Sequence, residues 1–452
     1  FTKDLRLIRA LTVLLCETVL FFSTYFILHE LKIQKIWCKL LGGLLAISPV
    51  SWEFFSYVQE ESYYIPHIAF SFFYVGLFIS IAFHEHFVSK KKLLFIVFCI
   101  LSFISGLSSI RYILNFTFPL AAVIVYNKAR ELIENKTSLN VKTFILNDKQ
   151  TFYSVTGLVL SGIGYILNSS VLAAIYSFKN MNKIRFNPIF LMRVDDIISM
   201  ILTIGGYNEN VSVFTPGGIT NILLLIVAIC TVTVFFPRKK LNLKDYEKLF
   251  LQFTAFMAFF SLYTNICTEM VGRYLTMVFI YFIPVLTIII QNNEVMAVKK
   301  WILSVSAAVL ILTNAFLCFM NIQTYNRNDK LLKVCNFLEK KGYDFGYAFS
   351  NIANPIWFIT NGKVEVAIIK DETVGNTRTI PEKMQIHKWL EPKKFTDINY
   401  YQGRKNIFFA IKTEEYNASA NKDVLSKGNL VYQDDNYLVF DYATPQSLKD
   451  AF

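Results

Sequence analysis

Length, composition and charge place this 452-residue chain among integral membrane proteins, because 54% of its residues are hydrophobic and only 17% are charged. The net charge of +12 does not indicate nucleic-acid binding, since the basic residues lie in short clusters between long apolar runs. The seven cysteines are scattered and suggest neither a disulfide framework nor a metal site. The motifs of P-loop ATPases, Rossmann enzymes, zinc proteases and α/β-hydrolases are absent from the sequence.

About nine or ten apolar segments are long enough to cross a bilayer or nearly so. They lie at 8–29, 34–50, 65–83, 93–110, 112–127, 152–177, 218–236, 247–266, 272–291 and 301–321. The fourth and fifth form one apolar block of about 34 residues, which exceeds the roughly 20 residues of a single span. We therefore predict a tight helical hairpin there, with its break at Ser108-Ser109-Ile110-Arg111.

Lysine and arginine counts in the short loops predict the orientation. The basic loops, which we expect in the cytoplasm, are 84–92, 128–151, 237–246 and 292–300. Alternation then places the remaining segments outside the cell membrane, namely 51–64, 108–112, 178–217, 267–273 and the chain after 322. The same alternation puts Phe1 outside, so we expect one further helix to precede it in the parent protein.

These patterns predict two domains, an all-α multi-pass transmembrane domain at 1–322 and a small extracytoplasmic α+β domain at 323–452. In the second, the segment NDKLLKVCNFLEKKG predicts a helix that ends at Gly342. Short alternating runs then predict strands at YAFSN, VEVAII, KNIFFAI, NLVYQ and NYLVFDY. In WFITNGKVEV the pattern predicts two strands joined by a type I′ turn at Asn361-Gly362.

Arg273 is the sharpest single candidate for a functional side chain. It lies just inside the predicted outer end of a helix, with Glu269 four residues earlier. A guanidinium there either snorkels to the interface and pairs with Glu269, or binds a phosphate through its planar fork. Arg111 repeats the arrangement, since each arginine is followed directly by a tyrosine, Tyr112 or Tyr274, and later by a proline.

Paired acids occur on two predicted outer loops, Glu60-Glu61 and Asp195-Asp196. Adjacent carboxylates can hold a divalent cation or accept a proton from an acceptor hydroxyl, although such pairs on loops are commonly just solvated. His67 opens the helix after the first of these loops, where a hydrogen-bonded structural histidine is the more common case.

Glu17 lies within the first apolar segment. An intramembrane carboxylate is costly and often functional, so a transporter is the alternative that begins from this residue. A coupled carrier is weakly supported, however, because neither a matching acid nor an inverted pair of broken helices recurs in the second half.

Four features of the sequence together resemble bacterial membrane glycosyltransferases of the GT-C superfamily. They are the charges at predicted outer helix ends, the partly amphipathic outer loop 178–217, the Arg-Tyr pair before a late proline, and the α+β tail. The tail is similar to the C-terminal domain of multi-pass proteins grouped with these enzymes. The similarity lies in the stretches YDFGYAFSNIANPIWFITNGKVEVAII, HKWLEPKKF, KNIFFAI and DDNYLVFDY. The resemblance covers most of the chain in layout and is specific only in these stretches.

This resemblance implies a polyprenyl-phosphate-linked sugar as the donor and a cell-envelope glycan or lipid as the acceptor. The sequence predicts no definite cofactor, and a divalent cation is an option that the paired carboxylates leave open. It implies that Arg273 and Arg111 bind the donor phosphate, with Glu269, His67 and Tyr274 in support. The catalytic carboxylate of the superfamily acts as the base and follows the first transmembrane helix, in a segment that we expect before Phe1. By location alone, the substitute candidates for this base are Glu60, Glu61, Asp195 and Asp196.

The sequence also allows two other functions, a transporter or flippase for an envelope precursor and a non-catalytic membrane scaffold. An enzyme should depend on Arg273 and a carrier on a mid-membrane polar residue such as Glu17, whereas a scaffold should tolerate changes at both.

Overall fold

A computed structural model describes most of the chain. The described residues are 5–48, 51–55, 64–134, 148–172, 194–208, 211–212, 214–235, 242–267, 272–292, parts of 301–320, 329–374, 377–387, 393–396 and 403–452. The chain divides into two compact units. One is Thr12–Asn321, and the other combines Phe1–Leu11 with Ile322–Phe452.

Up to residue 292, the regular structure of the described residues is helical. Its α-helices are α1 Leu5–Glu30, α2 Ile36–Ile47, α3 Trp52–Phe54, α4 Ile65–Phe83, α5 Val88–Ser108, α6 Ile110–Tyr112, α7 Phe118–Glu134, α8 Lys149–Ile166, α9 Val194–Ile204, α10 Pro216–Phe235, α11 Asp245–Cys267 and α12 Thr276–Asn292. π-helical turns at Ile113–Thr117 and Leu167–Leu172 follow α6 and α8, and a 3₁₀ turn at Gly272–Leu275 precedes α12.

Among the described residues, five helices are long and apolar enough to cross a membrane. They are Leu7–Glu30, Ile65–Phe83, Val88–Ser108, Ile110–Glu134 and Lys149–Leu172. The predicted segment 34–50 instead forms the 12-residue helix α2, which at 1.5 Å per residue is about 18 Å long and too short to span a core of roughly 30 Å. Five long apolar helices indicate a membrane protein.

The predicted break within the long apolar block is confirmed. Ser109 has extended backbone angles (φ −171°, ψ 150°) between α5 and α6, and its hydroxyl accepts a hydrogen bond from the Arg111 backbone N–H at 3.2 Å. The helices on either side, α5 and α7, both pack against α8. One apolar run therefore forms two helices, and both of them contact α8.

Small residues let α5 and α8 approach each other very closely. A Cβ atom built on Gly106 would lie 1.9 Å from the backbone oxygen of Ser161, and one built on Gly164 would lie 2.3 Å from the Phe103 oxygen. The Ser105 and Ser161 hydroxyls are 2.9 Å apart, and Ser161 Oγ also donates to the Ser102 carbonyl at 2.8 Å. Backbone contact and hydroxyl hydrogen bonds of this kind hold helices together inside a bilayer.

The C-terminal part forms a five-stranded sheet in the order β2-β1-β5-β7-β6. Its strands are β1 Phe345–Ala348, β2 Glu365–Ile368, β5 Ile407–Lys412, β6 Asn429–Gln433 and β7 Tyr437–Tyr442. β1, β2 and β5 are parallel, whereas β7 is antiparallel to both β5 and β6. The short strands β3 Glu372–Val374 and β4 Thr377–Thr379 form a separate hairpin.

Two hydrophobic clusters cover the two faces of this sheet. One face packs on α13 Asp329–Lys341 and α14 Ser350–Ile359, through residues such as Leu331, Val334 and Ile356. The other face is rich in aromatic residues, including Tyr347 and Phe409. The short helices α15 Thr413–Ala418 and α16 Pro445–Lys449 follow β5 and β7.

The predicted helix at the start of this region is confirmed as α13, and its end at Gly342 has the positive φ of 76° that favours glycine there. The predicted hairpin around Asn361-Gly362 is wrong. The segment Ser350–Ile359 is a helix, and β1 and β2 are parallel, which requires a helical crossover and not a two-residue turn. Asn361 and Gly362 do have positive φ values, 52° and 78°, but they terminate α14.

Candidate functional site

Three predicted outer segments come together at one end of the unit Thr12–Asn321. Helix α9 contacts both the 3₁₀ turn Gly272–Leu275 and the short helix α3. The Ser51 hydroxyl donates to the Ile204 carbonyl at 2.7 Å and accepts from the Phe54 backbone N–H at 2.9 Å, so one buried serine links α3 to the end of α9. We call α3, α9 and the turn Gly272–Leu275 the acid-pair end.

Helix α9 carries the acid pair and lies partly buried. Ile197 and Ile204 are buried, whereas Ile198 and Leu202 are exposed, which fits the amphipathic pattern of this segment. Asp196 has an exposed side chain. For Asp195, the structure describes the helical backbone within α9.

Arg273 and Tyr274 lie in the 3₁₀ turn that leads into α12. The structure describes their backbone, and the neighbouring Gly272 and Leu275 are buried. Because α9 packs on this turn, the backbone brings the segment with the acid pair next to the segment with the arginine. Glu269, Glu60 and Glu61 lie outside the described residues.

Arg111 is associated with a second group of side chains, which includes His67. The His67 ring on α4 stacks on the Tyr112 ring, with 4.4 Å between centroids and 10° between planes. The Asn115 amide nitrogen lies 3.3 Å from His67 Nε2, and Arg111 directly precedes the stacked Tyr112 in the chain. Sequence reasoning had selected Arg111 and His67 separately, and the structure brings the two together.

His67 is 8% exposed, with one face covered by Tyr112 and with Asn115 next to its ring nitrogen. A histidine in this setting suits a positioning role for the turn that carries Arg111 better than proton exchange with solvent. Asn115 was missed in the sequence, because a single asparagine beside a π-helical turn has no distinctive spacing.

Several described residues that flank the predicted cytoplasmic loops lie at the opposite end of α4 from His67. His84, which follows α4, has its Nε2 atom 2.8 Å from the Glu30 carbonyl oxygen and 3.4 Å from the Glu30 carboxylate. The buried carboxylate of Glu247 accepts a hydrogen bond from the Asn292 amide at 2.9 Å. His67 lies near the start of α4 and His84 directly follows its end, so the difference of 17 residues between their positions separates them by about 26 Å.

The acid-pair end therefore combines an exposed carboxylate with backbone segments that carry a further aspartate and an arginine, at the end of a helical bundle. Such an arrangement can accept a proton and stabilise a phosphate charge at the edge of an apolar environment. Within the part of the chain that the structure describes, no group of three or more His, Cys, Asp or Glu side chains could hold a metal ion.

Comparison with protein-family models, curated proteins and solved structures finds no match for this chain. The resemblance to GT-C glycosyltransferases therefore rests on the residues quoted above and on the layout of helices and tail.

Proposed function

We propose that this chain is a membrane glycosyltransferase that moves a sugar from a polyprenyl-phosphate donor to a cell-envelope glycan or lipid on the outer face. The observation that carries the proposal is the packing of α9, the helix of Asp195 and Asp196, against the turn that holds Arg273. A proton acceptor and a phosphate-binding cation are the two groups that such a transfer needs.

In the proposed reaction, an aspartate of α9 takes the proton from the acceptor hydroxyl, and the resulting oxygen attacks the anomeric carbon of the donor sugar. The bond between that carbon and the phosphate oxygen breaks, and polyprenyl phosphate leaves with the electron pair. Arg273 stabilises the charge that develops on the departing phosphate, which a guanidinium does through paired hydrogen bonds. Arg111, next to the Tyr112–His67 stack, is the second phosphate-binding candidate.

The test is the binding of a panel of polyprenyl-phosphate sugars to the full chain in detergent, followed as a rise in the thermal unfolding temperature. We expect wild type to be stabilised by at least one donor, because a ligand that binds only the folded state raises its stability by mass action. We expect Arg273→Ala to lose this stabilisation.

Arg130→Ala is the matched control. Arg130 is an exposed arginine on α7 that pairs with Glu134 at 2.7 Å, so its removal changes the net charge equally but leaves the acid-pair end intact. Loss of donor stabilisation in Arg273→Ala with retention in Arg130→Ala would support the proposal. Stabilisation by no donor, or equal loss in both variants, would count against it.

Transport of an envelope precursor is the second candidate function. The observation in its favour is Glu17, which is partly buried within α1, the first candidate span. Reconstituted transport that disappears in Glu17→Gln and persists in Arg273→Ala would replace the glycosyltransferase proposal with a transporter.

A further inference from the structure

A pocket of about 440 Å³ lies within the C-terminal part of the chain, over the aromatic face of the sheet. Tyr347 of β1 lines it together with Met384 and Ile386. The remaining lining residues come from the segment before β5 and from α16 with the residue before it. Its volume falls within the range of small-molecule sites, which is about 300 to 1,000 Å³. No function proposed for the membrane helices uses this pocket.

The lining of the pocket is basic. Arg404, Lys405 and Lys449 contribute to it, and none of the described residues that line it is acidic. The cations come from two separate segments, one before β5 and one in α16. Lys405 and Lys449 form no ion pair among the described residues, so their charges remain uncompensated at the pocket.

Arg404 is held in place by its own partners. Its guanidinium lies 3.0 Å from the Glu365 carboxylate, 3.5 Å from Asp344 and 4.9 Å above the Phe345 ring. These contacts balance the charge of Arg404 and fix the segment that ends in Lys405. The fixed arginine thus positions one uncompensated ammonium group, and α16 positions the other.

We infer that this pocket binds a small hydroxylated anion, a monosaccharide that carries a phosphate or a carboxylate. The two lysine ammonium groups would pair with the anionic group. The apolar surface of Met384, Ile386 and Pro445 suits the carbon face of a sugar ring. Thr444 and Gln446 also line the pocket. The Thr444 hydroxyl accepts from the Ser447 N–H and can still donate its proton, and the Gln446 amide nitrogen donates to Asp450 while its oxygen can still accept. This inference is independent of the proposed transferase activity.

The experiment is isothermal titration of the full chain in detergent with glucose 1-phosphate, glucuronate, inorganic phosphate and neutral glucose. We expect binding of one or both anionic sugars, with glucose weaker by about tenfold or more because it lacks the charge. Which anionic sugar binds more tightly distinguishes phosphate from carboxylate. Inorganic phosphate as the best ligand, or glucose as good as the anionic sugars, would overturn the inference.

Three variants test the location. Lys405→Gln/Lys449→Gln removes both uncompensated charges and should weaken binding by about tenfold or more. Lys340→Gln/Lys341→Gln makes the same charge change on α13, which packs on the other face of the sheet, and should leave binding unchanged within about twofold. Equal weakening by the two pairs, or none by the first, would refute a site in this pocket. Met384→Trp, which fills the pocket without altering charge, should abolish binding while the thermal unfolding temperature without ligand stays close to that of wild type. Wild-type affinity in this variant would also refute the site.

Discussion

A single methyl group at Gly106 should force apart the two most closely packed helices of the membrane half. In Gly106→Ala the new Cβ would lie 1.9 Å from the Ser161 oxygen and 2.8 Å from the Ser161 carbonyl carbon, where real Cβ contacts essentially never fall below 3.0 Å. Both are backbone atoms, so no side-chain rotation relieves the clash. Helices α5 and α8 must separate by roughly 1 Å, and the Ser105–Ser161 hydrogen bond must lengthen with them.

The magnitude follows from three effects. Overpacking costs about 1 to 3 kcal/mol, and the two Ser161 hydroxyl contacts are each worth about 0.6 kcal/mol in a membrane. Replacing glycine by alanine within a helix stabilises the folded state by up to about 1 kcal/mol. We therefore expect a net loss of about 2 kcal/mol in the free energy of unfolding.

Gly162→Ala provides the matched control. Gly162 lies on α8 one residue from Ser161, and a Cβ atom there would meet nothing within 4 Å, so this variant should be as stable as wild type or gain up to about 1 kcal/mol. Thermal and denaturant unfolding of both variants in one detergent measures the difference. A Gly106→Ala protein at least as stable as Gly162→Ala would refute the close packing of α5 and α8.

Three further predictions concern other parts of the chain. Burial raises the pKa of Glu415, so its contribution to stability is present below the ordinary value near 4.5 and is lost as the pH rises through the raised pKa. Glu415→Gln should therefore melt near wild type in acid and above it at neutral pH, and a melting difference that does not grow with pH would contradict this. Asn406 has φ +55°, so Asn406→Ala should cost about 1 kcal/mol and Asn406→Gly almost nothing, as measured by denaturant unfolding. The predicted orientation can be tested with an impermeant maleimide in a variant without native cysteines. The reagent should label Asp196→Cys in intact right-side-out vesicles, but Glu134→Cys only after permeabilisation. The reverse pattern would overturn the predicted orientation.

The lengths of the apolar runs and the local sequence patterns were sufficient to predict the parts of the fold that depend on residues close together in the chain. The long helices α4 and α5 follow from apolar runs, and α13 follows from the spacing of Leu331, Val334 and Leu338 with a glycine at its end. The break at Ser109 was predictable because an apolar block longer than one span must turn.

The parts that depend on tertiary pairing were not predictable in the same way. Asn361-Gly362 satisfies both a hairpin turn and a helix end, and only the parallel pairing of β1 with β2 decides between them. The small residues at Gly106 and Ser161 carried a usable signal, since glycine and serine at spacings of three and four on two apolar helices are typical of close helix packing. The contact between α9 and the turn of Arg273 joins residues about 70 positions apart, and no local pattern encodes it.

The most direct test of the proposed site uses a polyprenyl-phosphate sugar that bears a photoactivatable group next to the phosphate, cross-linked to the full chain and mapped by peptide mass spectrometry. We expect cross-links to Gly272–Leu275 and to Val194–Ile204, the turn and the helix that form the acid-pair end with α3. Cross-links confined to the part of α1 around Glu17, with none at the acid-pair end, would contradict it and favour a transport pathway through the helices.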